Sequence, residues 1–167
     1  KNTGCCRFVF NYYLNKRIEI YEQTKETFNY YSCAKDLTQL KKQDDFKWLK
    51  DVDSTSLQNS LNNLDTALKN FFEGFSASRN VGYPKFKSKH NPVQSYTSKN
   101  NNCSIRLVNN RIQLPKLGLV KIRLSKNVNG KILSATVSKN RCNQYYCAIN
   151  FDQSDFVPFE HTGCAIG

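Results

Sequence analysis

Methionine is absent from all 167 residues. A natural reading frame starts with it, so the chain is expected to be a processed product or a fragment. No run of about 18 consecutive apolar residues occurs, which leaves no candidate for a membrane-spanning helix. Lys1 to Arg17 mixes polar and apolar residues and has no secretory hydrophobic region. The seven cysteines, at 5, 6, 33, 103, 142, 147 and 164, include no C-x-x-C spacing, so a zinc knuckle has no support. Cys5 and Cys6 are neighbours and cannot easily bridge each other. With no signal peptide and enough apolar residues for a core, all seven read as reduced thiols, mostly small buried hydrophobes.

Histidine is scarce too. His90 lies among lysines and prolines and reads as solvated or phosphate-facing, and His161 precedes Thr-Gly and reads as a loop residue. No Ser-His-Asp order, H-E-x-x-H, P-loop or G-x-G-x-x-G is present. The acids fall on helical stretches beside lysines, as on a solvated face, and make no carboxylate site for two metal ions.

The most telling absence is of negative charge. From Gly74 to Asn150 there are 14 Lys and Arg and no Asp or Glu. From Lys1 to Glu73 the balance is 11 against 10, and the last 17 residues carry only three acids, Asp152, Asp155 and Glu160. A 77-residue stretch without one carboxylate calls for a polyanionic partner, with nucleic acid the first choice. An acidic membrane surface is the lesser option, because no basic amphipathic helix lies in the stretch. Hydrophobic residues at 39% and aromatics at 13% are enough to fill a core and argue against a wholly disordered chain.

Periodicity divides the chain in two. Cys6, Val9, Phe10, Tyr13, Leu14, Ile18 and Tyr21 recur near a 3.6 period and predict a helix over about 5–28. A shorter helix is predicted after Ser32, with Ala34, Leu37 and Leu40 on one face. Phe46, Trp48, Leu49 and Val52 form a further apolar cluster. Asp53-Ser54 then opens the strongest helix, whose stripe Leu57, Leu61, Leu64, Leu68 and Phe71 reads as bundle core. Gly74 is its expected stop.

Pro84 and Pro92 break the helical pattern, and Ser95 to Cys103 is polar and without periodicity. From Ser104 onward short alternating runs predict about five strands: 105–108, 111–115, 117–124, 132–138 and 144–151. Asn109-Asn110 suits a tight hairpin and Asn127-Val-Asn-Gly130 a turn. Thr162 to Gly167 reads as the start of another strand. The residues therefore suggest an α+β chain, a helical bundle followed by a small basic antiparallel β-barrel.

Lys85, Lys87 and Lys89 alternate along an extended segment and would face successive phosphates. Tyr83 and Phe86 either stack on bases or pack on the helical core.

Several segments together resemble one family. They are Thr3-Gly-Cys-Cys-Arg-Phe-Val-Phe-Asn-Tyr-Tyr-Leu14; Trp48-Leu49 with Val52-Asp53; Leu57-Gln58-Asn-Ser-Leu61; Leu64-Asp-x-Ala67; and Lys69-Asn-Phe-Phe72. Gly82-Tyr-Pro-Lys-Phe-Lys87, Ser95-Tyr96-Thr97, Leu114-Pro-Lys-Leu-Gly118 and Lys131-Ile132 with Thr136-Val137 continue the series. Each is weak alone, but nine in this order across nearly the whole chain are specific. They resemble the N-terminal half of TnpB proteins, the OrfB-type transposases of bacterial insertion sequences and relatives of type V CRISPR effectors.

The resemblance implies RNA-guided DNA cleavage by the full-length protein. It implies a wedge-type barrel with a helical recognition bundle inserted between its strands, binding guide RNA and a DNA motif beside the target. The family's first strand, before the first helix, has no counterpart here. Ala165-Ile166-Gly167 matches the approach to the first motif of the RuvC-like, RNase H-fold nuclease, with the catalytic Asp expected two residues on. Mg and Zn are expected only in the C-terminal half, and this chain is expected to hold no catalytic residue and no cofactor. The implied organisation is a bundle over 1–80, a basic loop over 81–103, a barrel over 104–160 and the RuvC-like start over 161–167. Guide RNA and double-stranded DNA are the implied partners, with no membrane, no small-molecule substrate and a cytoplasmic location. The rival reading is a non-catalytic DNA- or RNA-binding module or a decayed transposase remnant.

By the same resemblance, Tyr30, the helix start at Ser54 and Gln58, and Tyr96 with the polar stretch after it, including Lys99, match positions that read the motif. Ser54 as a mere N-cap and Gln58 as a solvated residue is the alternative. Lys85, Lys87, Lys89, Lys121 and Arg123 complete the candidate nucleic-acid contacts.

Overall fold

The computed structural model describes residues 1–77, 81–126 and 130–152. Three helices come first: α1 (Asn2–Thr24), α2 (Tyr30–Leu40) and α3 (Ser54–Ser76), with a 3-10 helix at Asp44–Asp51 leading into α3. Six strands follow: β1 (Gln94–Lys99), β2 (Arg106–Val108), β3 (Arg111–Leu114), β4 (Gly118–Lys121), β5 (Lys131–Lys139) and β6 (Tyr145–Asp152). They form two three-stranded antiparallel sheets, ordered β1-β5-β6 and β2-β3-β4. The α+β class holds, but among the described residues the sheets do not close into the expected barrel.

Local chemistry sets the helix ends. Lys25 takes a left-handed conformation (φ 60°) and stops α1 four residues before the expected Phe28. The Asn29 side chain accepts the Ser32 amide and starts α2 two residues earlier than Ser32. Asp53 caps α3 by accepting the amides of Thr55 and Ser56. Gly74 does not stop α3. It is buried inside the helix, which runs on to Ser76 because packing outweighs the modest cost of one glycine.

The α3 stripe is the centre of the core. Leu57, Leu61 and Leu64 are fully buried, together with Val9, Tyr13 and Leu14 of α1, Cys33 of α2, and Leu49. Tyr96 of β1 joins this cluster, and Val137 of β5 packs against it, so the first sheet lies on the helices. A second cluster of Ile105, Ile112, Leu114 and Ala135 holds the two sheets together. Asn100 ties them further: its amide nitrogen donates to Ile132 O at 2.8 Å, and its side-chain oxygen accepts Ile105 N–H at 2.8 Å.

Strand β1 falls inside the stretch read as aperiodic. Its buried positions, Tyr96 and Ser98, alternate with polar neighbours, so no apolar alternation marks it. It is held instead by full pairing with β5, Tyr96 opposite Val137 and Thr97 opposite Thr136. The expected hairpin at Asn109-Asn110 is present, Val108 pairing with Arg111 and Asn109 adopting φ 52°. The predicted run 117–124 shortens to four exposed residues in β4. Of the cysteines, Cys5, Cys6 and Cys33 are buried as expected, whereas Cys103 and Cys142 are exposed and Cys147 is half-buried. Cys164, His161, Asp155, Glu160, the turn at Asn127 to Asn129, and the RuvC-like start expected over 161–167 lie outside the described residues.

Leu61→Ala is expected to lower stability by about 2–5 kcal/mol in denaturant melts, since it empties a fully buried site. The Tyr13 hydroxyl is buried and donates to Asp36 Oδ2 at 2.9 Å. Burial first, and then the Asp36 carboxylate, push its phenol well above the ordinary range. A raised folded-state value means the native state keeps a proton that the unfolded chain releases above about pH 10, so this stability is full below that pH and falls as pH rises. Tyr13→Phe is expected to cost about 1 kcal/mol at neutral pH, with the gap to wild type narrowing in melts above about pH 10.

Candidate nucleic-acid interface

The charge pattern of the sequence becomes a spatial one. All five ion pairs among the described residues lie within the first 73 residues. On α1, Lys16 reaches Asp36 at 2.8 Å and Arg17 reaches Asp65 at 2.9 Å. Among the described residues, no cation between 81 and 141 has a carboxylate partner. Unpaired cations in the absence of local acids create a net positive field that draws phosphate backbones.

Two concave regions interrupt this surface. The larger, of about 1030 Å³, lies between the two sheets. Its apolar walls include Ile112, Val120 and Ile149, and Lys121, Arg123 and Lys139 line it as well. Tyr145 and Tyr146 are 69% and 57% exposed there, and the Lys139 ammonium sits 5.8 Å from the Tyr145 ring centre. The smaller, of about 170 Å³, lies between α1, α3 and the 87–97 segment.

The predicted contact residues fall into separate groups. Ser54 and Gln58 are exposed at the start of α3. Lys99 is brought to them, because its backbone N–H donates to the Thr55 hydroxyl at 3.1 Å. Thr55 in turn donates its hydroxyl to the Asp53 carboxylate, so one helix cap also fixes the end of β1. Tyr30 does not join this group. Arg17 contacts both Cys33, one turn past Tyr30, and Asp65, eleven residues past Ser54, which places Tyr30 well along the bundle from the start of α3.

Lys85, Lys87 and Lys89 are all exposed. Lys87 is held differently. Asn11 clamps its backbone on both sides, accepting its N–H at 2.8 Å and donating to its carbonyl at 2.9 Å. Its ammonium lies 4.0 Å from the Phe10 ring centre, and partial burial lowers its pKa. Tyr83 leans edge-on against Phe71 of α3 at 5.2 Å, as packing on the helices requires, while Phe86 is 56% exposed. Tyr96 is a core residue. Its ring is 7% exposed within the helical cluster, so it presents no free face for a base.

Sequence reasoning missed Arg7, Lys139, Tyr145 and Tyr146. Tyr145 and Tyr146 open β6 opposite Lys139 and Ser138 of β5, a placement that only strand pairing supplies. Among the described residues no group of three or more His, Cys, Asp or Glu is placed to hold a metal ion, and no helix is long and apolar enough to cross a membrane.

Residues 1–26 match the helix-turn-helix domain of OrfB proteins of the IS605 type; here they are α1 and its stop at Lys25. The Escherichia coli (strain K12) protein named "Putative RNA-guided DNA endonuclease InsQ" is 33% identical over 166 residues, covering 99% of this chain and 39% of its own length. A Streptomyces pristinaespiralis protein named "Putative RNA-guided DNA endonuclease" is 26% identical over 170 residues, covering 100% of this chain and 40% of its own length. The chain thus spans about two-fifths of the curated relatives it matches.

Asp53→Ala is expected to cost about 0.5–2 kcal/mol through loss of the α3 cap. Because the cap also orients Thr55, hydrogen exchange at the Lys99 amide is expected to accelerate in the same variant.

Proposed function

We propose that this TnpB/OrfB-type chain is a nucleic-acid-binding part of an RNA-guided DNA endonuclease, engaging guide RNA and the DNA motif beside the target. The observation that carries the proposal is the separation of charge. In the helical half ten carboxylates offset eleven cations and five ion pairs form, whereas among the described residues no cation of the acid-free half has a carboxylate partner. Its likeness to RNA-guided DNA endonucleases along its whole length supports the choice of RNA and DNA over other polyanions.

Two kinds of contact divide the work. Lys85, Lys89, Lys99, Lys121 and Arg123 supply sequence-independent attraction to phosphates. Gln58 and Ser54 lie one turn apart, exposed, at the start of α3. A glutamine amide can bond both N6 and N7 of adenine in a major groove, which suits Gln58 to reading one base of the motif. Cleavage belongs to the whole protein in this proposal, and the described residues serve recognition.

Affinity for nucleic acid is expected to fall steeply with salt. If about five cations meet phosphates, the log–log slope is about −3.5 to −4.5, depending on strandedness. A slope near zero in a fluorescence-anisotropy titration would overturn the proposal. In a full-length version, Gln58→Ala is expected to weaken binding by about 1–3 kcal/mol and relax one position of the motif, whereas Lys85→Ala weakens all sequences alike. Binding across a randomised motif library separates the two; a uniform loss with Gln58→Ala would make Gln58 a scaffold residue.

A further inference from the structure

We propose that the cleft between α1, α3 and the 87–97 segment is a phosphodiester site for a nucleic-acid strand, with Arg7 and Lys87 as its cations and the Asn59 and Asn63 amides as its donors. This rests on the nucleic-acid reading above and adds a site to it. The cleft is about 170 Å³ and no Asp or Glu lines it.

The position of Arg7 is the first argument. On the same helix, Lys16 and Arg17 each have a carboxylate within 2.9 Å. Arg7 is half-buried and, among the described residues, has none, although it lines the cleft. A guanidinium withdrawn from water with no internal anion favours an external one, and its planar donors suit a phosphate.

Lys87 is the second. Asn11 fixes its backbone and Phe10 supports its ammonium, so it is held in place before any ligand arrives. A charge that is already oriented loses little further freedom when an anion binds. Asn59 and Asn63 stand one turn apart on α3 and line the same cleft. At 3.6 residues per turn they lie about 100–140° round the helix from Gln58, across the exposed side from the proposed base-reading face. A strand held here is therefore held separately from the motif contact at Gln58.

Guide RNA, single-stranded DNA and duplex DNA share the phosphodiester, so the test uses fluorescein-labelled RNA, single-stranded DNA and duplex DNA of one sequence. Anisotropy across a salt series is read for the whole chain and its variants, with circular-dichroism melts as the fold control. Arg7→Gln with Lys87→Gln is expected to reduce affinity about tenfold at fixed salt and to flatten the slope by about 0.7–0.9, the contribution of one phosphate. The strand that shows this loss identifies the source of the phosphodiester. Arg7→Lys should keep the slope. Asn59→Asp, which places a carboxylate in the cleft with almost no change of shape, should weaken binding more than Asn59→Ala. Lys47→Gln, whose partner is Asp44, should change nothing.

If the wild type binds and the double variant keeps its affinity and slope, the cleft is not a phosphate site, and the broader reading stands. If the double variant does not fold, Asn59→Asp decides, and unchanged binding overturns the proposal. If the wild type binds none of the three strands, the nucleic-acid reading itself fails.

Discussion

Burial of the α3 leucine stripe organises this molecule. Leu57, Leu61 and Leu64 are fully buried among residues from α1, α2 and the 3-10 helix, and the cluster extends to Tyr96 on β1. An apolar stripe on a 23-residue helix cannot be left in water, so neighbours must cover it. α1 does so from one side, with Ser60 donating to the Cys6 carbonyl at 2.6 Å inside the contact. That packing leaves one exposed flank of α3 carrying Gln58 and Ser54, and another, lined by Asn59 and Asn63, forming a wall of the small cleft. The two surfaces proposed to meet nucleic acid are thus consequences of one buried contact.

The second constraint is electrostatic. Ten acids and eleven bases in the first 73 residues can largely satisfy one another. The later residues have no such option, because the first acid after Glu73 is Asp152. Their cations stay at the surface and around the groove between the sheets, close to the exposed Tyr145 and Tyr146. Aromatic faces beside lysines are suited to a strand with unpaired bases, whose phosphates and rings need both kinds of contact. Among the described residues β4 pairs only with β3, and its four exposed residues form an edge of the second sheet.

Much of this was legible before any coordinates. The α3 stripe, its opening at Asp53-Ser54, the Asn109-Asn110 hairpin and the positions of β5 and β6 follow from residue periodicity and turn chemistry, which act over a few neighbours. The acid-free stretch depends on composition alone, and it pointed to a polyanion without reference to fold. The resemblance to TnpB proteins rested on nine short segments whose order no local force dictates.

Other features arose only when distant segments met. β1 is a strand because β5 pairs with it, and its hydroxyl-rich sequence carries no apolar alternation. Tyr96 became a core residue for the same reason, since pairing turned its ring toward α3. The sheets remained two rather than one closed barrel among the described residues, because closure depends on strand registers that residue periodicity does not encode. Arg7, Asn59 and Lys87 lie far apart in the chain and have no common motif. They line one cleft because α1 packs on α3 and Asn11 holds the 87–97 segment against α1. Sequence alone determined which residues must be buried and where positive charge accumulates, both local properties of side chains. Which cations line one cleft was decided by packing, which operates over separations that sequence patterns cannot span.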